Sequence, residues 1–167
     1  PVQDFGNAFS TFVAQNYGAR KGGRSRAGIR SAVAAALLFC AVISAAVCLF
    51  ARPLMLLFVQ PGEEEILAIG VQYLRVEGAF YCGIGCLFLL YGLYRAVGRP
   101  GMSLVLTVIS LGTRVLLAYT LSAIPAVGVL GIWLSVPIGW LLADLAGLLY
   151  YRRRRAVLFA GLEDSAA

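Results

Sequence analysis

Long apolar stretches alternate along this chain with short polar or basic connections. Residues 31–51 carry no charge over 21 positions, and a helix of that length rises about 1.5 Å per residue and crosses a hydrocarbon core of about 30 Å. Three further apolar runs contain only four charged residues, which are Arg75, Glu77, Arg114 and Asp144. The pattern predicts four complete membrane-spanning helices, over about 28–52, 64–95, 102–124 and 129–152, preceded by a partial helix over about 4–19.

The composition agrees with lipid as the main solvent. The chain is 60% apolar and 13% charged, with a mean hydropathy of +0.85, whereas soluble domains are about half apolar and a quarter charged. A water-soluble fold of this length has too little interior to bury so much apolar surface. We therefore predict an all-α polytopic membrane protein whose principal partner is the lipid bilayer.

The basic residues predict how the helices are oriented. Residues 20–30, the connection at 95–99 and the arginines at 152–155 are basic, whereas the connection after residue 52 carries three glutamates and the one after residue 124 carries no charge. Because lysine and arginine in short loops stay on the cytoplasmic side, this alternation predicts a plasma (inner) membrane protein with a cytoplasmic C-terminus. The net charge of +6 does not indicate a nucleic-acid partner, since the basic residues lie between apolar runs rather than on one polar face.

Three stretches resemble transporters of the multidrug and toxic compound extrusion (MATE) family. The entry to the second half of such transporters resembles the stretch GNAFSTFVAQNYGARKGGRSRAGIRSA. The family's Tyr-Leu-Arg segment and the turn that follows it resemble YLRVEGAFYCGIGCLFLLYGLYRAVGRPGMS. The family's last two helices resemble RVLLAYTLSAIPAVGVLGIWLSVPIGW. The resemblance implies twelve helices in two six-helix lobes. Residues 1–155 would form part of the C-terminal lobe, with the N-terminal lobe as partner, and residues 156–167 a cytoplasmic tail.

The resemblance also implies a function. A secondary active antiporter of this family exports cationic amphipathic compounds, that is, small organic cations, in exchange for Na⁺ or H⁺ by alternating access; it is not an enzyme and has no cofactor. Many members carry an acidic residue in the tenth helix, but the corresponding position here is Ile84. We therefore expect the coupling-ion site to lie outside this piece of the transporter.

The residue types exclude several chemistries. Histidine is absent, and the four cysteines all fall inside apolar spans, so the sequence predicts no metal site and no catalytic residue. The glycines near Lys21 are not followed by Gly-Lys-Ser or Gly-Lys-Thr, so no ATP-binding loop is predicted.

Ionisable and aromatic residues inside the spans are the candidates for transport. Each intramembrane charge is costly unless it is paired or hydrated, and helix geometry places Glu77 and Arg114 within about 6 Å of each other in depth. Arg114 would either pair with a neighbouring helix or line the substrate path, and Glu77 would attract a cation, exchange a proton or form a salt bridge. Phe80 and Tyr81 are candidates for an aromatic cavity wall that binds flat organic cations.

Small residues recur at every fourth position of the first helix. Such a stripe lets transmembrane helices approach closely, and the neighbouring amides either bond across helices or cap the helix end. The predicted packing residues are Gly6, Ser10, Ala14, Gly18, Gln15 and Asn16.

Two other functions fit the sequence. A lipid-linked saccharide flippase of the same broader superfamily would line its cavity with more cationic residues. A non-transporting membrane scaffold subunit would have all its intramembrane charges paired and no open cleft.

Overall fold

The computed structural model describes residues 1–60 and 62–159, and the described residues form helices joined by short connections, with no strand among them. The helices are α1 (Val2–Gly18), α2 (Gly22–Leu49), α3 (Ala51–Met55), α4 (Glu64–Ala79), α5 (Tyr81–Ala96), α6 (Pro100–Ser122) and α7 (Val129–Leu158).

Three of these helices, α2, α6 and α7, are long and apolar enough to cross a membrane, and α4 with α5 makes a fourth span if the bent pair is counted as one. Only 11% of the apolar window of α2, and the same share of α6, is buried within the chain. Their outward faces therefore require lipid or other apolar surface around them. The predicted all-α membrane fold is confirmed.

The predicted single helix over 64–95 is instead two helices that meet at Phe80 with a 47° bend. Beside the bend, α2 comes so close to Gly78 that a Cβ there would lie 2.8 Å from Val47 Cγ1. The Ser44 hydroxyl donates a 2.6 Å hydrogen bond to the Gly78 carbonyl oxygen. A side chain that bonds a carbonyl of a neighbouring helix competes with the regular helical ladder, which accounts for the break.

Other helix boundaries also differ from the sequence pattern. The helix α2 begins at Gly22 rather than at residue 28, because helix formation continues through the basic residues beyond the apolar run. At the far end, α7 continues past residue 152 to Leu158 and so includes the start of the predicted tail. Residues 160–167 of that tail lie outside the described residues.

The helices α6 and α7 pack through a seam of small residues. A Cβ at Gly139 would lie 2.7 Å from the Ser110 carbonyl oxygen, and one at Gly131 would lie 2.7 Å from Leu121 Cβ. Small residues at every fourth position let two transmembrane backbones approach this closely. The buried members of this α7 seam are Gly131, Ser135, Gly139, Ala143 and Gly147.

A second close contact joins α1 to α5. A Cβ at Gly92 would lie 2.6 Å from the Gly6 carbonyl oxygen and 3.4 Å from Ser10 Cβ, so the first half of the predicted α1 stripe packs against α5. In the second half, Ala14 and Gly18 are exposed.

The two amides of α1 differ in their surroundings. The Asn16 side chain is buried and donates a 2.8 Å hydrogen bond to the Phe12 carbonyl of its own helix, whereas Gln15 is exposed. Within the described residues, the Asn16 amide thus bonds along α1 rather than across helices.

Candidate transport cavity

An open cavity of about 540 Å³ lies between α4, α6 and α7. It is in the half of the bundle away from the main apolar core, which gathers around α1 and the C-terminal half of α5. Ionisable, aromatic and small side chains from the three helices line it together, which are Tyr73, Glu77, Arg114, Val115, Ala118, Tyr119, Ser122, Ile132, Trp133, Ser135 and Val136.

Glu77 and Arg114, two of the residues selected from the sequence, line this cavity together. The Oε1 atom of Glu77 is buried and has no hydrogen-bond partner within residues 1–60 and 62–159. Arg114 is exposed, and the described part of the chain contains no salt bridge between it and Glu77. The helix-locking ion pair considered for Arg114 is therefore not formed within the described residues, although Arg114 lines the same cavity as Glu77 and interacts with it electrostatically.

Aromatic rings form one wall of the cavity. Tyr73 of α4 and Trp133 of α7 meet edge to face, with ring centroids 5.8 Å apart and an interplanar angle of 65°. Tyr119 of α6, which is 77% exposed, lies at the same cavity. The sequence did not reveal this group because the three rings come from separate helices.

A proline inside α7 changes the backbone at this wall. Pro137 is buried and has no N–H group, so the carbonyl of Trp133, four residues earlier, lacks its intrahelical donor. Trp133 itself lines the cavity. The cavity wall thus combines a carboxylate and aromatic faces beside a point where the helical hydrogen-bond ladder is interrupted.

Phe80 and Tyr81 lie away from this cavity. Phe80 is at the bend, is half exposed, and lines a different cavity of about 600 Å³ together with Arg52, Gln72 and Arg75. Tyr81, the first residue of α5, is partly buried and is not part of either lining. Of the four predicted transport residues, the structure brings together only Glu77 and Arg114.

The cysteines are packing residues in this structure. Cys40 is buried, and its sulfur would be 2.5 Å from a Cβ placed at Gly85, so it fills the space left by that glycine. Within the described part of the chain, no group of three or more histidine, cysteine, aspartate or glutamate side chains is arranged to hold a metal ion.

Comparison with known proteins gives three findings. The MatE family model matches residues 1–120. The chain is 36% identical over 108 residues to the "Probable multidrug resistance protein YpnP" of Bacillus subtilis (strain 168), which is 64% of this chain and 23% of that protein. It is also similar to the solved structure of an inward-facing multidrug resistance MATE family transporter of the MOP superfamily, with a TM-score of 0.82 and 22% identity.

That structural match covers 97% of this chain and 36% of the solved one, so the chain spans about a quarter to a third of the length of these relatives. The structural likeness establishes a shared helical fold. The family model covers well over half of the chain and agrees with the resemblance noted in its sequence motifs. The chain is an integral membrane protein segment that belongs to the MatE family.

Proposed function

We propose that this chain is part of a secondary active transporter that exports cationic amphipathic compounds in exchange for Na⁺ or H⁺. The mechanism is alternating access, in which two lobes rock about a central cavity in the plasma (inner) membrane. Family membership supports a transporter role, and the relatives are named for multidrug resistance. The observation that carries the proposal is the intramembrane cavity with Glu77 at its wall, whose Oε1 atom is buried without a hydrogen-bond partner in the described residues.

The chemistry of this cavity suits a cation that also has apolar surface. A carboxylate away from bulk water attracts a positive charge more strongly than an exposed one does, because the local dielectric constant is lower. The faces of Tyr73, Trp133 and Tyr119 offer cation–π and apolar contact to a flat organic ion. Arg114 repels a cation, so it would hold the charged end of the ligand on the Glu77 side of the cavity.

The same observations argue against a purely structural subunit. A scaffold would have its intramembrane charges paired, yet Glu77 Oε1 and Asp144 Oδ1 are both buried without a partner in the part of the chain that the structure describes. An unpaired buried carboxylate lowers the stability of the fold, so its presence indicates a group that binds an ion or a substrate.

A flippase for lipid-linked saccharides is a second candidate. Arg52 and Arg75 line the second cavity together with Gln72, and guanidinium groups bind phosphate well. A substrate with a diphosphate link would use this cavity, whereas a cationic drug would avoid it. Replacing Arg75 by glutamine should therefore impair transport of a phosphate-bearing lipid and leave drug export unchanged.

Drug export by the full-length transporter that contains this chain tests the main proposal. We expect Glu77→Gln to reduce efflux of a fluorescent organic cation at least tenfold at equal expression, because the neutral amide no longer attracts the ligand's charge. Glu63→Gln is the matched control, since Glu63 is exposed at the start of α4 and lies outside the cavity. Unchanged efflux in Glu77→Gln, with unchanged dependence on pH and sodium, would remove Glu77 from the transport path.

A further inference from the structure

Asp144 is a buried intramembrane carboxylate that lies outside the cavity lining. Its residue is 7% exposed, in the middle of α7, and its Oδ1 atom has no hydrogen-bond partner in the described residues. The salt bridges of the described chain involve other residues, Pro1 with Asp4 and Arg52 with Glu64, and both pairs are exposed. Asp144 is thus enclosed by the helices of this chain, and no cation among residues 1–60 and 62–159 lies within salt-bridge distance of it.

The side of α5 that faces Asp144 is close to that helix's beginning. Asp144 Oδ2 is 4.0 Å from where a Cβ of Gly83 would lie, and Trp140 Cβ is 3.5 Å from the same point. Gly83 is the third residue of α5, a helix of 16 residues. The Gly83 N–H donates a 2.9 Å hydrogen bond to the Phe80 carbonyl oxygen, so it is not a free donor for the Asp144 carboxylate.

The other helices packed against α7 bring few titratable groups to this level. From α5 the facing titratable group is the Cys86 thiol, and α6 contacts α7 on either side of Asp144 through Ser110 and Leu106, which do not titrate. The ionisable residues of α4 and α6 nearest to α7 are Glu77 and Arg114, and both line the cavity beside Ser135 and Val136, about two helical turns away.

The isolation of the Asp144 carboxylate favours a proton over a sodium ion as its ligand. A sodium ion needs several oxygen ligands, as other hard cations do, and the Asp144 carboxylate supplies at most two of them. A proton needs only the carboxylate itself. A buried carboxylate without a countercharge is costly, and binding a proton removes that charge.

We infer that Asp144 is a proton-binding site, separate from the cavity, at which the transporter takes up and releases a proton. The proton comes from water and returns to water, so an O–H bond of the carboxyl forms and breaks and no electron is transferred. Gly83 lies three residues beyond Phe80, where α4 and α5 meet. Ionisation of Asp144 therefore changes the force on the first turn of α5 directly after the bend. A coupling site at Asp144 would lie within the present chain, whereas the apolar residue at Ile84 led us to expect that site elsewhere in the transporter. The coupling part of the inference rests on the proposed transport function.

Infrared spectroscopy of the purified full-length transporter tests proton binding without any transport assay. We expect the wild-type minus Asp144→Asn difference spectrum to contain a protonated-carboxyl band that converts to carboxylate bands as the pH is raised across the range in which the transporter stays folded. Asparagine is close in size to the neutral acid, so the variant should fold. If it does not fold, Asp144→Glu supplies the comparison, because the longer acid shifts the same band. A carboxyl that stays ionised, or stays protonated, over the whole range would overturn the inference.

Transport in proteoliposomes then tests coupling. We expect Asp144→Asn to bind the organic cation as wild type does but to lose at least tenfold in efflux driven by a pH gradient. If wild type exports and Asp144→Asn shows the same pH dependence, coupling at Asp144 is wrong and the proposed function stands. If wild type exports nothing, the proposed function fails, and the infrared titration alone still decides whether Asp144 exchanges a proton.

Discussion

Replacing Gly139 by alanine should push α6 and α7 apart. A Cβ at this position would lie 2.7 Å from the Ser110 carbonyl oxygen, about 0.7 Å inside the 3.4 Å at which ordinary contact begins. The obstructing atom belongs to the backbone, so no rotation of a side chain relieves the overlap. Overpacking of this kind costs about 1–3 kcal/mol. Alanine regains about 0.5–1 kcal/mol over glycine within a helix, which leaves a net loss of stability.

The helix α6 supplies a matched control in Gly112, where an added Cβ would meet no atom within 4 Å. The Gly112→Ala variant gains the same helix propensity without the overlap, so the difference between the two variants isolates the packing cost. In thermal unfolding of the full-length transporter in detergent, we expect Gly112→Ala to melt at or slightly above the wild-type temperature. Gly139→Ala should melt measurably lower than Gly112→Ala, by less than the ~2–4 °C per kcal/mol of a domain of about 150–250 residues, because the full-length transporter is larger. Equal melting temperatures for the two variants would refute the close approach of α6 and α7.

Two further predictions concern a buried hydrogen bond and the membrane orientation. Tyr94 is fully buried and its hydroxyl donates a 2.6 Å hydrogen bond to the Gly147 carbonyl oxygen, so Tyr94→Phe should destabilise the protein by about 1–2 kcal/mol; the exposed Tyr119→Phe should not, and equal unfolding free energies would contradict this. A cysteine introduced at Lys21 should react with a membrane-impermeant maleimide only from the cytoplasmic side, and one at Glu63 only from outside; labelling of both from one side would reverse the orientation.

The apolar spans of the fold could be predicted from the sequence because each one requires only a long uncharged run. The bend at Phe80 could not, because residues 78–82 are as apolar as the rest of that span. What breaks the helix is Ser44 on α2, whose hydrogen bond to Gly78 depends on how the two helices pack. Hydropathy reports how a segment meets lipid, and it carries no information on which neighbour binds a particular carbonyl.

The candidate site was partly accessible from the sequence. Depth along the helices brought Glu77 and Arg114 to a similar level, and both line one cavity. The sequence does not give the rotation of each helix about its axis. Phe80 was therefore grouped with Glu77 and Arg114, although it lines a different cavity. The α7 seam was visible as small residues at every fourth position from Gly131 to Gly147. It was missed because two bulky tryptophans within the same stretch hide the period.

The bend at Phe80 would let α4 rotate as a rigid helix relative to α5. The helix is 16 residues long, so a rotation of ~10° at the bend moves its far end by about 4 Å, whereas residues next to the bend hardly move. Glu77 lies three residues before the bend and Gly83, against Asp144, lies three residues after it. A small displacement near the two carboxylates would thus become a large displacement at the start of α4, where the Arg52–Glu64 salt bridge joins α4 to α3. This exposed ion pair lies at the end of α4 that would move most, and it should weaken as the ionic strength rises, as any surface pair does.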